Sequence, residues 1–293
     1  MKYLARNKDI TQLSNYKTPA RARWLFEIES EEDVDRIFEI VGWAKDEKIP
    51  VLWISGGTNM LFAFDSYEWV VIKNSLQWWT YDEHTKILES YGAENIWNIA
   101  EKLEIDYRQD LWHRFIGLPG SIAGAVYGNA GCFGLETENN FVSCEVLDLE
   151  NGQRLRLEKK DMNFEYRTSK LKQEKWYFLI SAKFDLSQKI EKYHSDVDNI
   201  DFRENKQPSW NSCGSFFKNP SREKSAWYLI EQVGLKWHTL GGAYFSEKHA
   251  NFLMHNGQGT HIDMLELIEL AQDKVLREFD IKLENEVQII TNN

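Results

Sequence analysis

The sequence has few cysteines, no long apolar run and no excess of positive charge. Cys132, Cys144 and Cys213 lie far apart and form no C-x-x-C pair, which argues against a disulfide framework or a zinc site and fits a reducing cytoplasm. No stretch approaches the roughly 20 apolar residues of a membrane span, and residues 1–10 lack the apolar core of a secretory signal. We therefore expect a cytoplasmic protein with no bound metal and no membrane partner.

The formal net charge of -11 argues against a nucleic-acid-binding protein, because phosphate contacts along a nucleic acid need a basic face. A local cluster of Lys and Arg can still bind a phosphorylated small molecule. With 42% apolar and 28% charged residues, the 293-residue chain has a globular composition and is long enough for two or three modules.

Apolar periodicity predicts helices at 30–48, 225–233 and 261–279. Ser30 with Asp33, and Thr260 with Asp263, have capping-box spacing. The predicted apolar stripe of the first helix is Val34, Ile37, Phe38, Val41 and Ala44, and that of the last is Leu265, Ile268, Ala271, Val275 and Phe279. The polar stretch 188–207 suits a helix and a linker.

Strands are predicted at 51–54, 70–72, 176–186 and 281–290. Asn151-Gly152, between the apolar alternations 146–149 and 154–157, is the strongest hairpin signal. In the strand 176–186, one face carries Phe178, Ile180, Ala182 and Phe184. With no internal repeat and helices mixed among small sheets, the predicted class is α+β.

Three glycine-rich segments, 55–60, 117–134 and 212–220, are the candidate binding elements. Glycines let backbone N–H groups approach a phosphate, but a tight turn explains the first segment equally well. The second has six glycines in 18 positions, more than a structural loop requires. In the third, Ser215 lies between a glycine and two aromatic residues. Because the G-x-S-x-G motif of nucleophilic serines is absent, Ser215 is interpreted as a turn cap or a proton donor.

Several short motifs occur in one order along nearly the whole chain, and together they resemble the UDP-N-acetylenolpyruvoylglucosamine reductase family. They are Gly-Gly-Thr-Asn-Met-Leu at 56–61, Gly-Leu-Pro-Gly-Ser at 117–121, Asn-Ala-Gly at 129–131, Tyr-Arg-Thr-Ser at 166–169, Cys-Gly-Ser-Phe-Phe-Lys-Asn-Pro at 213–220, Gly-Gly-Ala at 241–243, Ser-Glu-Lys-His-Ala-Asn-Phe at 246–252 and Leu-Glu-Asn-Glu-Val at 283–287. Lys-Gln-Pro at 206–208 resembles the family's shorter subclass.

The resemblance implies an FAD-binding fold of the vanillyl-alcohol-oxidase/PCMH type in two modules, plus a C-terminal α/β substrate domain. The expected modules are 1–75, joined by a C-terminal strand at 282–293, then 76–205 and 206–281. It implies non-covalent FAD, NADPH as hydride donor, and UDP-N-acetylglucosamine enolpyruvate as the substrate reduced to UDP-N-acetylmuramate for peptidoglycan. The implied FAD-binding residues are Ser55, Gly56, Gly57, Thr58, Asn59, Met60, Leu61, Pro119, Gly120, Ser121, Gly124, Asn129 and Gly131.

The resemblance also implies a catalytic set. Arg167 matches the arginine that faces the substrate carboxylate, Ser215 the proton donor, and Glu286 the carboxylate that assists the enol intermediate; Glu284 is a nearby rival. Taken singly, Arg167 and Glu286 are typical of a surface ion pair. Phosphate contacts of substrate or NADPH are expected from Lys206, Lys218 and Asn219.

The alternative activities are another FAD-dependent oxidoreductase of this fold, acting on a sugar or alcohol, and a non-catalytic nucleotide-sugar-binding protein. The intact Arg167, Ser215 and Glu286 favour the reductase over both. We expect a monomer.

Tryptophan is abundant, with 12 Trp against 17 Gly. Trp227 and Trp237 occupy positions where the resembled family favours glycine, and Trp69 and Trp78 look similar. Such replacements are hard to reconcile with native packing density or with any left-handed backbone that glycine supplied. Our hypothesis is that some of these codons are UGA read as glycine; the alternative is genuine divergence with local repacking.

Overall fold

The computed structural model describes residues 1–188, 199–208, 211–221 and 223–292. Its helices are α1 (Glu31–Asp46), α2 (Ile96–Tyr107), α3 (Ile122–Gly128), α4 (Thr137–Asn140), α5 (Lys170–Glu174), α6 (Asn199–Lys206), α7 (Ala226–Gln232) and α8 (His261–Phe279). Its strands are β1 (Ala5–Asp9), β2 (Arg21–Ile28), β3 (Val51–Ile54), β4 (Met60–Phe62), β5 (Ser66–Asn74), β6 (Trp79–Asp82), β7 (Ile87–Tyr91), β8 (Gly131–Cys132), β9 (Leu135–Glu136), β10 (Phe141–Asp148), β11 (Arg154–Glu158), β12 (Tyr177–Asp185), β13 (Thr239–Leu240), β14 (Ala243–Phe245), β15 (Leu253–His255) and β16 (Gln288–Ile290).

The strands form several small sheets, as the α+β class requires. One sheet has the order β1-β2-β5-β3, with β3 parallel to β5, and another has the order β11-β10-β12-β7-β6. A third sheet is β13-β14-β15, and β16 pairs in parallel with β4. The strand nearest the C-terminus therefore joins a strand from the first quarter of the chain.

The chain folds into two compact units. The first contains residues 1–5, 24–56 and 69–199, and the second contains 6–23, 57–68 and 200–293. Residues 189–198 of the first unit and 209, 210, 222 and 293 of the second lie outside the described residues. The core of the first unit includes Phe26, Ile37 and Ile72. The core of the second includes Leu61, Phe216 and Leu267. These units divide the chain differently from the three predicted modules, which stay a prediction.

Helix α1 confirms the predicted capping box, since the Ser30 side chain accepts the Asp33 N–H and Asp33 accepts the Ser30 N–H. The predicted stripe is only partly right: Ile40 is buried, whereas Phe38 is 42% exposed and Val41 is half-buried. Phe38 instead packs against Gly152 at the turn of the predicted hairpin, where β10 and β11 pair antiparallel.

Helix α8 confirms the second capping box, at Thr260 and Asp263. Its buried face is rotated relative to the prediction: Met264 and Leu267 are fully buried, while Leu265 and Phe279 pack at the edge of the core. The predicted strand at 281–290 is wrong in length, because only Gln288–Ile290 form a strand.

Strand β12 confirms the strand predicted at 176–186, but both of its faces are buried. Leu179 and Ser181 are each 5% exposed, as well covered as the predicted apolar face. β12 lies between β10 and β7 in the five-stranded sheet, so it is a central strand. In the polar stretch 188–207, α6 supplies the predicted helix, and residues 189–198 lie outside the described residues.

The four questioned tryptophans do not crowd the core. Trp78, Trp227 and Trp237 are 46%, 43% and 61% exposed, and Trp69 is half-buried, so the packing argument does not apply to the first three. The backbone argument does apply at Trp237, whose φ is +62°. An L-residue with a large side chain is strained in this left-handed region. Whether any of these codons is read as glycine stays a hypothesis.

Candidate active site

Two predicted cofactor segments meet in the first unit. The turn after β3 places the Gly56 N–H 3.3 Å from the Ser121 hydroxyl oxygen, and the same oxygen caps α3 through the Gly124 N–H at 3.2 Å. A Cβ on Gly56 would lie 3.1 Å from the Ser121 nitrogen. Only a glycine lets the two backbones approach this closely without a shift, and such a surface without Cβ atoms suits the phosphates of FAD.

Side chains below this turn hold it in place. The Ser55 hydroxyl donates to the Gly92 carbonyl at 3.3 Å, and the Lys73 ammonium donates to the carbonyls of Ser55 at 2.5 Å and Asn74 at 2.9 Å. Burial lowers the pKa of Lys73. The role of Lys73 was not predicted from the sequence, because nothing in the sequence distinguishes this lysine from one that is exposed to solvent. It brings a positive charge to the base of the turn.

The rest of the glycine segment 117–134 contains structure that the sequence did not predict. Pro119 and Gly124 are exposed, Gly120 is half-buried, and α3 follows Ser121. This placement leaves Pro119 and Gly124 accessible to a ligand, while the Ser121 side chain, 2% exposed, acts on the protein itself.

Residues 57–61 belong to the second unit, where they brace the C-terminal segment. The Asn59 amide donates to the Glu286 carbonyl at 3.0 Å, and the Asn59 carbonyl accepts the Gln288 N–H at 3.0 Å. Gly57 and Thr58 lie in the same turn and Met60 begins β4, with Gly57 buried and the other two half-buried. Leu61 is 0% exposed and packs in the core, so its predicted cofactor contact does not use an accessible side chain.

Arg167 lies in the first unit, near two other predicted residues. Its guanidinium donates from Nη2 to the Gly131 carbonyl at 3.0 Å. Asn129, 0% exposed, donates from its amide to the Glu165 carbonyl at 3.2 Å. Asn129 and Gly131 therefore support the segment that carries Arg167, and their predicted contacts with FAD stay a prediction.

In the second unit, the segments that carry Ser215 and Glu286 are joined by backbone hydrogen bonds at Phe216. Ser215 forms a bridge with Phe252, and the Phe216 carbonyl accepts the N–H groups of Glu286 at 2.8 Å and Val287 at 3.2 Å. Both Ser215 and Glu286 are half-buried. These backbone bonds join two segments whose candidate residues lie 71 positions apart in the sequence. That Arg167 joins them stays a prediction.

Two side chains missed by the sequence reasoning support Ser215. Asn251, 1% exposed, binds both backbone groups of Phe217 through its amide, at 2.9 and 2.8 Å. The His249 ring lies 4.8 Å from the Phe252 ring, and burial lowers the pKa of His249 to about 4. This imidazole is therefore neutral near pH 7. Both residues were within a recognised motif, but no local signal distinguished them.

The predicted phosphate-binding residues are at the surface of the second unit. Lys206 is exposed at the end of α6. Lys218 forms an ion pair with Glu284 at 3.1 Å. Glu284, the alternative to Glu286 as the catalytic carboxylate, is therefore part of a surface ion pair. The Asn219 side chain accepts the Ala226 N–H at 3.0 Å, so it stabilises the start of α7. Their predicted contacts with phosphate stay predictions.

Within the described ranges, no group of three or more His, Cys, Asp or Glu side chains is arranged to hold a metal ion. Over the same part of the chain, no helix is long and apolar enough to cross a membrane.

The fold and the glycine turns define a flavoprotein of the FAD-binding class. Residues 25–158 match the family model described as FAD binding domain. The match contains Gly56 and Ser121, whose contact is described above. The predicted cofactor class, FAD, is therefore confirmed.

The particular family follows from the C-terminal part of the chain and from relatives matched over nearly all of it. Residues 206–290 match the model described as UDP-N-acetylenolpyruvoylglucosamine reductase, C-terminal domain. The chain is 33% identical to the UDP-N-acetylenolpyruvoylglucosamine reductase of Fervidobacterium nodosum, covering 97% of this chain and 90% of that one, and 34% identical to that of Chlamydia muridarum, covering 96% and 92%. The chain belongs to the UDP-N-acetylenolpyruvoylglucosamine reductase family, as the motifs predicted.

A solved structure agrees on the fold. The UDP-N-acetylenolpyruvylglucosamine reductase of Thermus caldophilus superposes with a TM-score of 0.76 at 21% identity, covering 99% of this chain and 100% of that one. The predicted fold class, an α+β FAD-binding fold with a separate C-terminal domain, is confirmed.

Proposed function

We propose that this protein uses NADPH and bound FAD to reduce UDP-N-acetylglucosamine enolpyruvate to UDP-N-acetylmuramate, a step of peptidoglycan precursor synthesis. The observation that carries the proposal is that the segment of Glu286 binds the Phe216 carbonyl, next to Ser215 in the chain, in a chain of this reductase family. An FAD oxidase of sugars or alcohols has no need for this pair.

The reaction adds a hydride and a proton across the enolpyruvyl double bond. The chemistry that bound FAD supplies is acceptance of a hydride from NADPH and its delivery to the terminal carbon of that bond. Negative charge then develops on the carboxylate-bearing fragment and needs a fixed positive partner and a proton source. Arg167 provides the partner, because its planar fork matches a carboxylate.

Ser215 donates the proton to the carbon next to the substrate carboxylate and regains one from solvent. Glu286 assists the enol form. Support for the pairing comes from the Asn59 amide, which binds the Glu286 carbonyl, and from the Asn251 amide, which binds Phe217. Both braces act on the backbone, so the two side chains are held without being used up in hydrogen bonds to those braces.

We also propose that the protein works as a monomer in the cytoplasm. NADPH and nucleotide sugars are cytoplasmic metabolites, and all three cysteines are free thiols. Light scattering of the purified protein measures its mass, and a dimer mass would contradict the monomer.

The visible spectrum of the purified protein tests the proposal. We expect about one FAD per chain, bleaching of the flavin bands by NADPH, and their return under anaerobic conditions when the enolpyruvyl substrate is added. A folded, colourless protein that takes up no added FAD would contradict the assignment. Flavin that NADPH bleaches but that the enolpyruvyl substrate does not reoxidise would favour an FAD enzyme of another substrate.

A further inference from the structure

A buried amide in the first unit gathers two carboxyl groups. The Asn129 amide nitrogen lies 3.2 Å from Glu136 Oε2, 3.3 Å from Glu138 Oε1 and 3.2 Å from the Glu165 carbonyl oxygen. Asn129 is 0% exposed, and its own oxygen accepts the Glu138 N–H at 3.1 Å. An amide nitrogen has two N–H donors, so the three acceptors share them. The carboxyl groups of Glu136 and Glu138 are thereby drawn to one point.

Two carboxylates at one point oppose each other's ionisation, and a nearby cation favours it. Burial, followed by the neighbouring Glu138, raises the pKa of Glu136, whereas Arg167 and the Asn129 amide act in the opposite direction. Arg167 is thus the cation that faces this acid pair. The attraction is mutual, so the Glu136 carboxylate also draws the Arg167 guanidinium toward it.

The contact of Arg167 with Gly131 brings its guanidinium to the same place. Gly131 is paired with Glu136 across β8 and β9, and its carbonyl accepts Arg167 Nη2 at 3.0 Å. A Cβ on Gly131 would lie 2.8 Å from Glu136 Cγ and 2.9 Å from the Leu135 carbonyl oxygen. The side chain of Glu136 therefore crosses directly over the residue that receives the guanidinium.

The backbone of Arg167 is fixed independently of its side chain. Glu165 and Thr168 exchange two backbone hydrogen bonds around it, at 3.2 and 3.1 Å, and the Lys172 ammonium binds the Arg167 carbonyl at 2.8 Å. The turn holds Arg167 at φ +58°. Because the main chain is held in this way, the direction of the guanidinium depends on what its side chain contacts.

We propose that Glu136, held beside Glu138 by the buried Asn129, is a positioning residue that orients the Arg167 guanidinium for the substrate carboxylate. This inference rests on the proposed function, in which Arg167 meets that carboxylate. Glu136 fixes the plane of the fork beside Gly131, so the fork is in place when the enolpyruvyl group enters. Preorganisation of this kind removes the cost of ordering a long side chain during the reaction.

Glu136→Gln tests the role of the charge while keeping the size of the side chain. FAD content and the reduction of FAD by NADPH should match the wild type, because neither uses Arg167. Reoxidation by the enolpyruvyl substrate should slow by roughly 10- to 100-fold, the cost of a misplaced catalytic group. Stopped-flow absorbance of the flavin measures the two half-reactions separately.

Glu165→Gln is the matched control. It removes a carboxylate two positions from Arg167 that is exposed to solvent, and both half-reactions should match the wild type. Equal slowing of both half-reactions in Glu136→Gln, or none in either, would overturn the positioning role. If Glu136→Gln loses FAD, Glu136→Asp takes its place, with a smaller loss expected in the substrate half-reaction alone.

A double-mutant cycle shows whether Glu136 acts through Arg167. In an Arg167→Lys background the fork is absent, so Glu136→Gln should cause little further loss; effects that multiply would overturn the inference. A wild-type protein that fails to reduce the enolpyruvyl substrate would contradict the proposed function itself. A wild-type protein that reduces it, with a Glu136→Gln variant of equal rate, would contradict the positioning role alone.

Discussion

Substitutions at Trp237 can measure the free-energy cost of a left-handed backbone conformation in this fold. Its φ of +62° lies in the left-handed region, which costs an L-residue about 1–2 kcal/mol. Glycine avoids this cost, but its more flexible unfolded state lowers the free energy of unfolding by roughly 0.4–1 kcal/mol. The Trp237 ring is 61% exposed and contacts Tyr244 at 5.8 Å. Trp237→Ala and Trp237→Gly both lose that ring contact, so their difference isolates the backbone.

We expect Trp237→Gly to be more stable than Trp237→Ala by about 1 kcal/mol, the strain minus the unfolded-state entropy. The Trp237 N–H donates to the Phe245 carbonyl at 3.0 Å in the backbone, and both variants keep this bond. Urea unfolding of the two proteins at saturating FAD measures the difference.

Trp227 is the matched control, because it is similarly exposed but lies in helix α7. There the order should reverse, with Ala more stable than Gly by roughly 0.5–1 kcal/mol. An alanine variant as stable as the glycine variant at position 237, with the expected order at 227, would refute the strain argument. Mass spectrometry of the native protein tests the codon hypothesis separately: tryptophan-containing peptides at both positions would end it.

Three further substitutions test the proposed site. Ser215→Ala should leave flavin reduction by NADPH unchanged, since hydride transfer to FAD needs no serine proton, and slow reoxidation by the enolpyruvyl substrate by roughly 10²–10⁴-fold; equal slowing of both would make Ser215 structural. Arg167→Lys keeps the charge but loses the planar fork, so turnover should drop with no change in FAD content, and a loss of flavin absorbance would contradict this. Gly56→Ala should weaken FAD binding in a titration, because the new Cβ would lie 3.1 Å from the Ser121 nitrogen, whereas Gly128→Ala, with nothing within 4 Å, should not; equal affinities would contradict the close-approach argument.

Local chemistry was sufficient for the parts of the fold that depend on neighbours in the chain. The capping boxes at Ser30 and Thr260 and the hairpin at Asn151-Gly152 were predicted because each uses hydrogen bonds or backbone angles within a few residues. The family, and with it Ser215 and Glu286 as candidates, was evident from motifs in their order, which a linear sequence displays in full.

Tertiary structure alone decided which side of a helix is buried and what surrounds each candidate. On helix α1, Ile40 rather than Phe38 packs into the core of the first unit, because Phe38 covers the hairpin turn at Gly152. The bond between Phe216 and Glu286 depends on backbone pairing between segments distant in sequence. The contact of Glu136 with Gly131 depends on a loop that folds back on itself. Periodicity reports the spacing of apolar side chains along one element, and it contains no information on the partner that the element meets.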